Sequence, residues 1–139
     1  MQITTEQALN HYVALTDLGQ QRLPGALMMR VHTVTSALKI IVEAYEKTRE
    51  SLLEQYGEKG DDDKLIVTDG KIKLTDATAF NREIQDALAE EHAAPSIRFD
   101  DSMLERIEIT LPQMEALMCY RVRGEAAGEI KPRQARTKK

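Results

Sequence analysis

From Leu27 the apolar positions Val31, Val34, Leu38, Ile41, Tyr45 and Leu52 recur in steps of three and four, with Thr48 as a polar lapse before the last. On a helix this is heptad spacing, and such a ridge needs a second apolar surface along its length. Pro24 stands just ahead, where a helix can begin without losing a needed donor, and the glycine- and aspartate-rich stretch GEKGDDDK from Gly57 to Lys64 ends it. A helix from Pro24 to about Tyr56 would be about 50 Å long at about 1.5 Å per residue.

The preceding helix is too short to shield that ridge. Thr4 followed by Gln7 is the reciprocal capping pattern, and Ala8, Tyr12 and Leu15, flanked by Leu9, Val13 and Leu18, make a stripe that stops at Gly19. Such a helix covers about half of the ridge. The remainder must meet other parts of the chain or another molecule. Leu38, Ile41, Tyr45 and Leu52 are therefore the candidate partner interface, for self-association or for a protein partner.

Asp69-Gly70 is a two-residue hairpin signal, since both central residues of that turn need positive φ. Folding about it pairs Val67 with Ile72 and Leu65 with Leu74, with these four on one face and Lys71 and Lys73 on the other. Thr75 or Asp76 caps a third helix with the apolar line Phe80, Ile84, Ala87 and Leu88, closed by Glu90-Glu91 and Pro95. Alternation at Ile97/Phe99 and at Ile107/Ile109 predicts two short strands around the Asp100 to Glu105 connection. Thr110 and Gln113, with Pro112 in the first turn, open a last helix carrying Met114, Leu117, Met118 and the Arg121 stem on one side up to Gly124. The expected fold is α+β and mainly helical: a helical hairpin with one long arm, a small β-hairpin and a C-terminal helix-strand-strand-helix unit. Residues 1–129 read as a single domain and 130–139 as a basic flexible tail.

At 139 residues and 42% hydrophobic the chain can fill one core. Net charge is −4, yet Lys131, Arg133, Arg136, Lys138 and Lys139 give the last ten residues +5 and leave the rest at −9. Those five are candidate nucleic-acid contacts of a weak kind, with a salt slope of about −4 to −5 on duplex DNA. No aromatic platform for single strands accompanies them. The lone Cys119 cannot form an internal disulfide and reads as a buried structural thiol. The first residues lack the pattern of a secretory leader, and no run approaches about 18 consecutive apolar residues. The expected location is cytoplasmic within a host cell, or virion-associated, with no membrane partner.

Catalytic and metal motifs do not emerge from the spacing. A calcium loop starting at Asp61 would need glycine and glutamate where Ile66 and Ile72 stand, so Asp61, Asp62 and Asp63, like Asp100-Asp101, read as solvated turn residues. His11, His32 and His92 fit no zinc pattern. His11 and His32 fall where the first helical hairpin can bring them face to face, and otherwise read as exposed or core-edge histidines. No nucleophile elbow, phosphate loop or dinucleotide glycine pattern occurs. The chain is expected to be non-enzymatic, with no cofactor, catalytic or metal residue to assign.

Taken in order, the short helix, the long one ending in the Tyr45-x-Lys47-x-Arg49 to Tyr56-Gly57 region, the Asp/Gly loop, the Phe80-x-x-Glu83 helix and the Ile97 to Leu117 stretch resemble a family of small phage proteins of unknown function encoded among tail and lysis genes. The resemblance spans about Ile3 to Val122 and leaves out the Asp69-Gly70 hairpin and the basic tail. It implies a phage or prophage accessory protein and brings no site residues with it. The function expected from the sequence is protein–protein contact through the long helix, as an oligomer. The alternatives are a small nucleic-acid-associated regulator using the basic tail, or an inhibitor of a host enzyme.

Overall fold

A computed structural model describes residues 1–122 of the chain. In order, its elements are β1 (Gln2–Thr4), α1 (Thr5–Leu18), α2 (Gly25–Tyr56), β2 (Val67–Thr68), β3 (Lys71–Ile72), α3 (Ala77–Ala89), β4 (Glu91–Ala93), a 3-10 turn (Asp101–Leu104) and α4 (Leu111–Tyr120). The fold is mainly helical α+β, with two separate two-stranded antiparallel sheets, β1 with β4 and β2 with β3. The basic residues Lys131, Arg133, Arg136, Lys138 and Lys139 lie outside the described residues. The described residues pack as two units, one of residues 1–9 and 39–93, the other of residues 10–38 and 94–122. Both α1 and α2 contribute to each.

In the first unit β1 pairs with β4 in the register Gln2↔Ala93, Ile3↔His92 and Thr4↔Glu91. Neither strand is legible in the sequence, because three residues are too few to show a period. The Thr4–Gln7 cap forms as expected, with Thr4 N donating to Gln7 Oε1 (2.9 Å) and Gln7 N to Thr4 Oγ1 (3.2 Å). Asp76 caps α3 by accepting from Ala79 N at 3.0 Å. The hairpin turns at Asp69 (φ 54°) and Gly70 (φ 76°), both left-handed, and pairs Val67 with Ile72.

Beyond that pair the hairpin differs from expectation. Leu65 bridges Lys59, and Leu74 bridges Gly57, rather than each other. Glu58 enters the fork between the strands, its N–H donating to the Lys73 carbonyl (2.8 Å) and its carbonyl accepting from Ile66 N (2.9 Å). The segment expected as a loop is thus partly a third strand-like layer, because it supplies backbone partners that the splaying strands lack. Val67 is 62% exposed, so the four apolar residues do not share one buried face.

The second unit holds most of the core. Leu15, Leu18, Leu23, Leu27, Val31, Val34 and Leu38 are all at most 5% exposed, together with Ile97, Phe99, Ala116, Leu117 and Tyr120. The N-terminal half of the predicted ridge is therefore an internal seam. An 18-residue window of α2 reaches a mean hydropathy of 1.2, enough by length and composition for a membrane-crossing helix. Of that window 22% is buried within the chain. In α4 the Thr110–Gln113 capping box forms in full. Its buried line is Gln113, Ala116, Leu117 and Tyr120, whereas Met118 is 42% exposed and the helix stops at Tyr120, short of Gly124.

The two strands expected around Asp100 to Glu105 do not pair with each other. Ile97 makes a parallel bridge to Arg121 instead, its N–H donating to the Tyr120 carbonyl and its carbonyl accepting from Val122 N, both at 2.8 Å. Arg106, at φ 69°, breaks the extended run before Ile107. Between Ile107 and Ile109 the Glu108 backbone is held by the Gln21 side-chain amide, which donates to its carbonyl (2.6 Å) and accepts from its N–H (3.3 Å). A side chain thus takes the place of a neighbouring strand.

The Glu58 insertion sets a steric demand at Gly57. A Cβ there would sit 2.4 Å from both the Leu53 carbonyl oxygen and Leu65 Cδ2. At Gly70 a Cβ meets nothing within 4 Å, and the penalty is conformational only. Gly57→Ala should therefore lower unfolding free energy by about 2–3 kcal/mol and Gly70→Ala by about 1 kcal/mol, as measured by urea denaturation. Equal losses would contradict the insertion.

Candidate functional site

The first unit is sparsely filled. Its buried apolar side chains are Ile3, Ala8 and Leu52, and no residue of α3 is buried, so Phe80, Ile84, Ala87 and Leu88 stay half-buried. An amphipathic helix normally hides its apolar line; here the cover is incomplete. Tyr56 meets Phe80 edge-on at 6.4 Å between ring centroids, which holds one end of α3.

Toward the other end of α3 an open groove of about 270 Å³ remains, lined by Ile41, Ala44, Tyr45 and Thr48 of α2 and, around them, by Thr5, Ala87, Glu90 and His92. Its rim is ordered by hydrogen bonds. Thr5 N donates to the Glu90 carbonyl (3.0 Å), and Thr5 Oγ1 donates to the same oxygen (3.4 Å) while lying 2.8 Å from His92 Nε2. With its proton directed at Glu90, the hydroxyl accepts from a His92 that carries hydrogen on Nε2. Thr5 is only 3% exposed, so this pair fastens β4 to the start of α1 rather than presenting a nucleophile.

The four residues expected at a partner interface divide. Leu38 is fully buried and Leu52 is 8% exposed, so both face the interior of the chain and offer almost no surface to a partner. Ile41 and Tyr45 are half-buried and form the groove wall. Beside them Ile40 is 71% exposed, one turn before Ala44. The heptad count finds the α2 wall of this groove but not Thr5, Ala87, Glu90 or His92, which reach it through the β1–β4 pairing.

The histidines also separate. His32 is exposed, and the polar contact of His11 is with Tyr120. In the second unit His11 Nδ1 lies 2.6 Å from the hydroxyl of Tyr120, with the rings edge-on at 5.3 Å. Burial depresses the His11 pKa below the ordinary histidine value, only partly opposed by Glu115, and burial raises the Tyr120 phenol above its ordinary range. Both shifts favour a neutral imidazole accepting from a neutral phenol. Cys119, expected to be buried, is half-buried and in no disulfide. Asp101 pairs with Arg121 at 3.0 Å, and the Arg121 guanidinium stacks 4.6 Å above the Phe99 ring, a packing role for a residue of the Asp100-Asp101 pair.

Among the described residues no group of three or more His, Cys, Asp or Glu could hold a metal ion. No protein-family model, curated protein or solved structure matches the chain.

The His11–Tyr120 pair gives stability a pH dependence of definite sign. With its folded pKa below the unfolded value of about 6.5, His11 contributes full stability above pH 6.5 and loses it as pH falls through that value toward the folded pKa. The urea midpoint should drop between pH 7.5 and pH 5, and His11→Gln should remove part of that drop. An unchanged slope in the variant would assign the effect elsewhere.

Proposed function

We propose that this chain works by protein–protein contact through the C-terminal half of α2, joining copies of itself, as a non-enzymatic phage or prophage accessory protein. The observation that supports this is the groove walled by Ile41 and Tyr45, in a unit whose α3 buries no residue. Helices with incompletely covered apolar lines gain most from burying them against another helix, and the second copy of the chain supplies such a line from its own α2 and α3. The accessory role rests on the resemblance to small phage proteins. Contact through a helix face requires no motif, in keeping with a sequence that offers none.

The test is oligomeric state. Size-exclusion chromatography with light scattering should give a dimer or larger at tens of micromolar. Ala44→Glu, on an exposed position of the groove, and Ile40→Glu should each weaken association by about tenfold or more without unfolding the chain. A monomer at that concentration, or a dimer indifferent to both substitutions, overturns the reading.

A further inference from the structure

The second unit carries its own groove, of about 590 Å³, between Met29, Arg30 and Thr33 of α2 and Ser96, Arg98 and Val122. Its chemistry differs from that of the rest of the chain. Among the described residues the lining includes Arg30 and Arg98 and no acid, although acidic side chains outnumber basic ones by 23 to 19 overall. Met29, 66% exposed, and Val122 add an apolar floor that can adapt to a bound side chain.

Arg30 is oriented without being neutralised. Its Nε donates to the Arg98 carbonyl and its Nη1 to the Ala26 carbonyl at 3.0 Å, both uncharged acceptors. Among the described residues no carboxylate pairs with it. Arg121 shows the contrasting use, its charge answered by Asp101 and its plane stacked on Phe99. A guanidinium has five donors, so Arg30, with two engaged, keeps a fixed fork for an incoming anion. That fork lies beside apolar surface.

We propose that this groove binds an acidic, partly apolar peptide of a partner protein in an extended conformation, one carboxylate meeting Arg30 and an adjacent apolar side chain lying on Met29 and Val122. Charge complementarity selects the anion, and the apolar floor favours peptide over nucleic acid, since among the described residues the groove lining contains no ring on which a base could stack and the nearby Phe99 is only 5% exposed. The site is independent of the first unit's groove and stands or falls separately from self-association.

The probes are a fluorescein-labelled decapeptide of alternating Glu and Leu, the same peptide with Gln for Glu, and labelled oligo-dT, each titrated by anisotropy into the full chain. The Glu peptide should bind about tenfold tighter than the Gln peptide, and Arg30→Gln should abolish that difference. Because Arg30→Gln also removes two carbonyl contacts, Thr33→Glu serves as the second variant: it places an acid in the lining, leaves Arg30 held, and should weaken the Glu peptide by a similar factor. Arg82→Gln, on the exposed side of α3, should change nothing. Equal binding of the two peptides, indifference to Thr33→Glu, or Arg30-dependent binding of oligo-dT in preference to the Glu peptide overturns the proposal.

Discussion

The interaction on which the structure depends is the burial of Leu27, Val31, Val34 and Leu38 on one side of α2. All four are at most 1% exposed, on successive turns, so they fix the rotation of the helix about its own axis. Each fully buried aliphatic side chain contributes about 1.5–3 kcal/mol relative to exposure. Ile41 and Tyr45 continue the same heptad track in sequence and line the groove of the first unit.

The second unit reinforces that burial with polar devices of long sequence reach. Gln113 is 4% exposed, and its amide is satisfied by Asp17 (Nε2 to Oδ2, 2.8 Å) while its Oε1 accepts from Thr110 N. A buried amide left unpaired would cost about 1–3 kcal/mol, so α1 and α4 are held in one register. The Gln21 amide on Glu108 and the Ile97 bridge to Arg121 do the same for the irregular chain between α3 and α4. The first unit has a thinner core, with Ile3, Ala8 and Leu52 as its buried apolar side chains.

What could be read from the sequence is what short-range chemistry decides. Both capping boxes, the bounds of α2 and the Asp69-Gly70 turn each rest on residues a few positions apart, and all appear in the structure. What could not be read depends on distant partners. The β1–β4 pairing joins the first residues to residues past 90, the Glu58 insertion redirects Leu65 and Leu74, and left-handed Arg106 interrupts an alternating pattern that looks like a strand. The same division runs through the candidate sites. Ile41 and Tyr45 were visible as a helical ridge, while Thr5 and His92 join them only through sheet pairing. Arg30 gave no signal at all, since its orientation comes from backbone carbonyls.

The buried hydrogen bond between Tyr120 and His11 has an optical corollary. The chain has no tryptophan and four tyrosines, so its near-ultraviolet absorption and intrinsic emission come mainly from phenol rings. Tyr120, shielded from solvent by burial, holds its proton to higher pH than a free phenol. Tyr45, on the wall of the open groove, is placed to respond to whatever occupies it. Two natural chromophores thus report on different parts of the molecule without any label.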